Sequence, residues 1–413
     1  MVGQTLRLYR NAYRGFSPSV WLLAVVMFIN RSGTMVLPYL TLYLTQHLHY
    51  SVTDAGIIMA VYGTGALAGT YLGGRLTDRF GFYPIQFFSL LLAGIFLLVL
   101  QYVHSFAGIC VSVFLFTLVG DAFRPANSAA IAWYSKPEDR TRAYSLNRLA
   151  INLGWSIGGG IGGYLASIDY SLLFWVDGLT CIVAALVLRV MLPVPAGKPV
   201  EAHESGAVAA PVRSPYQDRF FMAFLVFTTL FAMAFFQIFT MAPLYYKEVL
   251  QFSERTIGAL MTMNGLMVAF VEMALIYALE RRFGPRKMGL IACGSLLTGL
   301  AYLLLIAGLW PGWAFISMIV LTFSEMLAMP FMQSFAVSRS DVQNRGQYMA
   351  LYSMAYAFAQ ITAPAIGSQL VALAGFTTLW LVLAGFAFLS AAGFVWLGQR
   401  SLTAVPNVEP STI

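Results

Sequence analysis

The chain has 413 residues, of which 59% are apolar and only 10% charged, and its mean hydropathy is +0.75. No water-soluble domain keeps that balance, so the solvent around most of the chain is lipid, and soluble enzyme folds are excluded. A net charge of +7 would mark a nucleic-acid partner only on a soluble basic face, and no segment supplies one.

A hydrocarbon core about 30 Å thick takes about 20 apolar residues per helix, and runs of that length recur twelve times. The predicted spans cover residues 20–44, 55–74, 83–103, 107–134, 143–167 and 172–192, then 220–246, 257–279, 288–309, 312–337, 346–374 and 377–397. The first run lacks the short length and small-residue exit of a cleaved signal, so it reads as a retained helix. With the amino terminus inside, the 24 Lys and Arg fall mostly in loops on that side, Lys247 and Arg255 being the outer exceptions. This bias predicts that both termini are cytoplasmic. Cys110, Cys181 and Cys293 lie inside apolar spans with no metal-ligand spacing.

A charge near the bilayer centre costs at least about 2.5–3.5 kcal/mol, so the charges inside spans are functional candidates. Span 1 carries Asn30, Arg31 and Tyr39. In span 2, Gly65, Gly69 and Gly73 form a stripe that close helix packing explains. Span 4 holds Asp121 and Arg124, three apart and on one face, followed by Pro125, which should loosen the helix there. Span 5 holds Arg148 with Asn152 one turn on, and Gly154, Gly158 and Gly162 at every fourth position, a smooth face on which another backbone can slide. Asp177 in span 6 lies about a turn and a half from the boundary, near enough to water to be ordinary.

Residues 193–218 are rich in Pro and charge and read as a cytoplasmic linker between an amino-terminal bundle, 1–192, and a carboxy-terminal one, 219–413. Span 7 then offers Gln237, span 8 Asn264 and Glu272, and span 10 Glu325, while spans 3, 9 and 12 have no interior charge. Glu272 sits toward the cytoplasmic side, where a gating or snorkelling role is open to it. The two bundles repeat at a shift of about 200 residues. Leu37-Pro38 matches Ala242-Pro243, the Leu76 to Gly81 loop faces Leu279 to Gly284, and Asp121 falls opposite Glu325. Each half has an even number of spans, which implies parallel repeats about an axis along the membrane normal with a site between them.

The loop Gly74-Arg75-Leu76-Thr77-Asp78-Arg79-Phe80-Gly81 resembles the Gly-x-Leu-x-Asp-Arg-x-Gly loop of the major facilitator superfamily. That resemblance covers both halves and implies the twelve-helix, two-bundle fold in a bacterial cytoplasmic membrane. It also implies a cytoplasmic latch formed by Gly74, Asp78, Arg79 and Gly81, although Phe82 and Tyr83 stand where the family continues with two basic residues. Gly154 to Gly163 is similar to the antiporter signature of the family, with Gly159 in place of its proline, and points toward export with Gly154, Gly158 and Gly162 as gating positions. Within the family, Asn30-Arg31, Leu37 to Thr41 and Ile151 to Trp155 resemble the bacterial drug and dipeptide exporters. A fainter similarity reaches the proton-coupled oligopeptide importers, but Met27 and Asn30 replace the two glutamates that those carry before the arginine.

A carboxylate beside an arginine stays ionised, whereas one alone in a dry cavity takes up a proton near neutral pH. Asp121, Glu325 and, behind them, Glu272 are therefore the proton-coupling candidates. Arg31, Arg124 and Arg148 are fixed positive charges suited to a substrate carboxylate or to holding an acid ionised, with a cytoplasmic gate equally open to Arg148, and Asn30, Tyr39, Asn152, Gln237 and Asn264 complete the substrate-binding set. No nucleotide loop is present, so a proton gradient is the expected driver. His47 and His49 have no third ligand nearby, and no metal or cofactor is expected. The expected partners are a small-molecule substrate, protons and the lipid bilayer, with no nucleic acid, and the chain is expected to act as a monomer. The reading is a proton-coupled exporter of small amphipathic molecules working by alternating access. A symporter that imports a carboxylate-bearing metabolite or peptide, with Arg31 as clamp, is the alternative; a non-transporting membrane sensor is the alternative of another class.

Overall fold

The computed structural model describes residues 16–136, 139–194, 215–283, 287–340 and 345–403. Both termini, most of the predicted linker and Gly284 of the second repeat loop lie outside the described residues. Those described form twelve long helices and no strand. They are α1 Pro18–His47, α2 Val52–Phe80, α3 Phe82–Leu100, α4 Phe106–Tyr134, α5 Arg140–Ala166, α6 Ser171–Met191, α7 residues 219–248, α8 Glu254–Phe283, α9 Lys287–Ile306 and α10 Gly312–Arg339. The last two, α11 (345–374) and α12 (376–403), run on from one another across Gly375, whose φ of 77° suits a residue without a Cβ. Among the described residues nine helices are long and apolar enough to cross a membrane, the last of them, Gln347–Arg400, being α11 and α12 together. Helices α5 and α8, with 27 and 30 residues, have the length but carry more polar groups.

Side chains such as Phe88, Leu186, Val190 and Leu389 stand exposed. Apolar surface on this scale is stable only against lipid, so the chain is an all-α, multi-pass membrane protein.

The helix starts are capped as the local sequence dictates. Ser17, Ser51 and Ser105 accept the amide hydrogens of Val20, Asp54 and Gly108, and Asp218 accepts that of Phe221. Gly81 ends α2 and starts α3 with a φ of 83°. Asp218 also takes two bonds from Arg339, at 2.7 and 3.2 Å, and one from the Tyr348 hydroxyl. Burial pushes its carboxyl up, but these bonds, that of the Phe221 amide and the Arg339 charge outweigh burial and hold it below the usual carboxylate range.

Three helices are broken where the sequence carries proline. A proline removes one amide hydrogen and collides with the carbonyl four residues earlier. Pro38 accordingly sits four residues after the α1 break at Thr34, whose ψ is 78°. Pro125 sits four residues after Asp121, and α4 is interrupted at Ala122. Pro243 follows the α7 break at Thr240, so the repeated Pro38 and Pro243 each lie just past a joint, a 3-10 turn leading into the second one.

The chain divides into two compact units, one of Met1–Ser205 with Phe239–Ala269, the other of Gly206–Ile238 with Phe270–Ile413. In the first, α2 packs on α4, α3 on α6, and α1 on both α5 and α6. Gly65, Gly69 and Gly73 carry the α2–α4 contact: a Cβ on Gly69 would fall 2.2 Å from the Leu118 carbonyl oxygen. In the second, α9 packs on α10, and the Tyr302 and Trp380 rings of α9 and α12 stack at 5.2 Å.

Candidate functional site

The break in α1 brings Arg31 to a cavity inside the first unit, bordered by α1, α2, α3, α4 and α6. Its empty volume is about 560 Å³, counting space open to solvent at the mouth. On the α4 side Arg124 Nε lies 2.5 Å from Asp121 Oδ1, the pair that their spacing predicts. Asp121 is buried, while the Arg124 side chain remains half exposed. Arg31 is near enough to both to feel their charges, yet its buried Nε makes no hydrogen bond. Such a group pays for desolvation without return until an acceptor arrives. Asn30 donates to the Cys181 sulfur at 3.3 Å. Thus Asn30, Arg31, Asp121 and Arg124 come together as one polar site.

Asp177 belongs to the same cavity, and here the expectation of an ordinary near-surface acid is corrected. It is only 4% exposed. Its Oδ2 accepts the amide hydrogens of Met35 and Val36, both at 3.2 Å, and its Oδ1 lies 3.8 Å from the Cys181 sulfur. Depth along its own helix does not reveal this. The broken turn of α1 leaves two amide hydrogens without helical partners, and Asp177 is their acceptor.

Other predicted residues go elsewhere. Tyr39 is fully buried and donates its hydroxyl to the Gly159 carbonyl oxygen at 2.8 Å. Arg148 is exposed, and Asn152 and Asn264 are half-buried, the last on the α8 segment of this unit. In the second unit Gln237 is buried and donates to the Ala363 carbonyl oxygen at 2.7 Å, over Gly367. Glu325 is half-buried and close enough to Tyr356 to interact with it electrostatically. Glu272 is 4% exposed, which corrects the snorkelling option. Asp78 and Arg79 are exposed at the end of α2, where Arg79 lies over the Phe80 ring at 5.2 Å, and Gly74 has open space around it. Among the described residues Asp78 has no ion pair.

The glycine stripe of α5 has a definite partner. A Cβ on Gly154 would fall 2.5 Å from the Arg31 Cβ, one on Gly158 3.1 Å from the Arg31 carbonyl oxygen, and one on Gly162 3.0 Å from the Tyr39 ring. A second face of α5, which the every-fourth spacing did not single out, lies against α8 in the same unit. There a Cβ on Gly163 would fall 2.8 Å from the Gly258 Cα. Ser156 and Thr262 exchange hydrogen bonds between hydroxyl and carbonyl at 3.1 and 3.0 Å. At the end of this seam Glu254 is held by Lys247 at 2.6 Å and by the Tyr170 hydroxyl at 3.0 Å. His47 stacks on Tyr43, and no group of three metal-ligating side chains occurs among the described residues.

The sequence profile of the Major Facilitator Superfamily matches residues 20–356. A Na(+), Li(+), K(+)/H(+) antiporter of Planococcus maritimus is 26% identical over 400 residues, covering 90% of this chain and 93% of that protein. Multidrug resistance protein MdtH of Salmonella typhimurium is 22% identical over 390 residues, covering 91% and 93%. Among solved structures, a POT family transporter in complex with 5-aminolevulinic acid superposes with a TM-score of 0.80 at 17% identity, over 94% of this chain and 97% of the other. That likeness shows the fold, and the profile shows the family. The chain therefore belongs to the Major Facilitator Superfamily and is a multi-pass membrane transporter rather than an enzyme.

Proposed function

We propose that the chain is a proton-coupled secondary exporter of small amphipathic molecules in a bacterial cytoplasmic membrane. Two six-helix halves joined by the segment 193–218 would alternate access to a central site. The basic residues orient it with both termini inside, so that the α1–α2 and α7–α8 loops face out. The observation that carries the reading is the Asp121–Arg124 pair, joined at 2.5 Å in a cavity where Arg31 has an unsatisfied Nε. Drawing Arg124 away takes the ion-paired partner from a buried carboxylate and leaves only the more distant Arg31 charge, and losing a paired cation favours a proton on a buried acid. Glu325 is its counterpart on α10, and Glu272 a third, buried carboxyl. Relatives named as an antiporter and as multidrug resistance proteins support export.

The test is proton-driven ethidium accumulation in everted vesicles. Asp121→Asn and Glu325→Gln should each lose accumulation driven by a pH gradient while keeping gradient-independent exchange. Wild-type accumulation that survives a protonophore, or undiminished accumulation in both variants, overturns the proposal.

The unsatisfied Arg31 Nε also favours the second reading, uptake of a carboxylate-bearing molecule. A structural neighbour was solved with 5-aminolevulinic acid. Uptake of that compound by right-side-out vesicles, lost in Arg31→Gln, would select it over export.

A further inference from the structure

We infer that Asp177 is a second proton-binding site, and that its occupancy sets the joint in α1 that holds Tyr39 in the α5–α8 seam. The inference shares with the proposed function only the premise that protons reach this cavity; the coupling there rests on Asp121 and Glu325.

The joint does not need an acid. The second copy also breaks, α7 stopping at Thr240 after a 3-10 turn, and the helix that corresponds to α6, α12, has no acidic residue at all. A neutral acceptor, though weaker, would still give the amide hydrogens of Met35 and Val36 a partner, so a buried carboxyl at this point is an expense that packing does not explain. What an acid adds is titration.

The groups facing it are few. Arg31 comes from α1, Tyr62 from α2, Asp121 and Arg124 from α4, and Cys181 from α6 itself; α3 and α5 bring no charged side chain to the cavity. With both aspartates ionised, the two arginines are balanced. A proton arriving from cavity water binds Oδ1, beside the Cys181 sulfur, and leaves the cavity with one excess positive charge. Oδ2 then becomes a carbonyl-type acceptor, weaker than a carboxylate, for the Met35 and Val36 amides.

The segment those amides begin, Val36–Leu42, carries Tyr39, whose hydroxyl bonds Gly159 on the face of α5 that meets α8. An ionised Asp177 thus fixes the segment with the seam closed, and a protonated one loosens it. By linkage, a seam-open state in which those bonds are loosened binds the proton more tightly, so acid favours opening.

The experiment measures spin-label distances between Gln46→Cys and Gln251→Cys, at the α1–α2 and α7–α8 loops, in the full chain with Cys110→Ser and Cys293→Ser. Between pH 8 and pH 5 the parent should shift to a longer distance, on the order of 5 Å, one helical turn. Asp177→Asn, whose neutral oxygen imitates the protonated acid toward the two amides, should hold the long distance at every pH, while Asp121→Asn should retain the shift. A shift in Asp177→Asn equal to that of the parent, or no shift in the parent, overturns the inference. Either result leaves the vesicle assay above free to succeed or fail by itself.

Discussion

Replacing Gly163 with alanine puts a methyl group where the seam has no room. Its Cβ would lie 2.4 Å from the Glu254 carbonyl oxygen, 2.7 Å from the Tyr39 hydroxyl and 2.8 Å from the Gly258 Cα. The first and last of these are backbone atoms and cannot rotate away. Overpacking of this kind costs about 1–3 kcal/mol. Alanine also gains about 0.5–1 kcal/mol over glycine inside a helix, but α5 is helical whether or not the seam is closed, so that gain cancels between the two. The closed seam therefore loses roughly 5- to 150-fold in population against an open one. Leu37→Cys, at the border of the cavity, reports the opening in a Cys110→Ser, Cys293→Ser background, through its rate of modification by a membrane-impermeant maleimide added outside. The rate should rise by that factor. An unchanged rate in a folded Gly163→Ala protein would refute the seam as the barrier.

Gly385→Ala, a helical glycine with nothing within 4 Å of the added Cβ, should leave the maleimide rate unchanged and raise the melting temperature slightly. Tyr39→Phe removes one hydrogen bond, worth about 0.5–1.5 kcal/mol, and should raise the same labelling rate less than Gly163→Ala does. The Asp218 carboxyl is held below its ordinary range, so it contributes stability above the unfolded value of about 3.9 and loses it as pH falls through the depressed folded value. In detergent, the melting-temperature gap between wild type and Asp218→Asn should be full at neutral pH and close only in strong acid. A gap that closes near pH 6 would contradict this account.

Much of the architecture is legible in residue order because lipid imposes a one-dimensional rule: about 20 apolar residues, then a turn. The prolines are equally plain, since their effect is local, and Pro38, Pro125 and Pro243 each accompany a broken helix. The Asp121–Arg124 pair follows from helical spacing alone. Asp177 escapes that kind of reading because its burial is decided by α1, far away in sequence, which presents it with two unpaired amide hydrogens. The every-fourth glycines of α5 likewise announce a close approach without naming the partner, and they say nothing of the second face, where Gly163 meets Gly258. Tyr39 and Gln237 carry polar groups suited to a ligand, yet each gives its hydrogen bond to a neighbouring helix backbone. Such commitments depend on which helices become neighbours, and periodicity carries no record of that.

The paired joints at Thr34 and Thr240 have a mechanical consequence. Copies of one ancestral bundle that bend at matching places would, if identical, yield together under the same load. Here one elbow is clasped by an acid from α6, while α12, the counterpart of α6, has no acid to offer the other, so the two are held by different chemistry. Duplication supplied two hinges, and a single acid is enough to make one of them answer to protons.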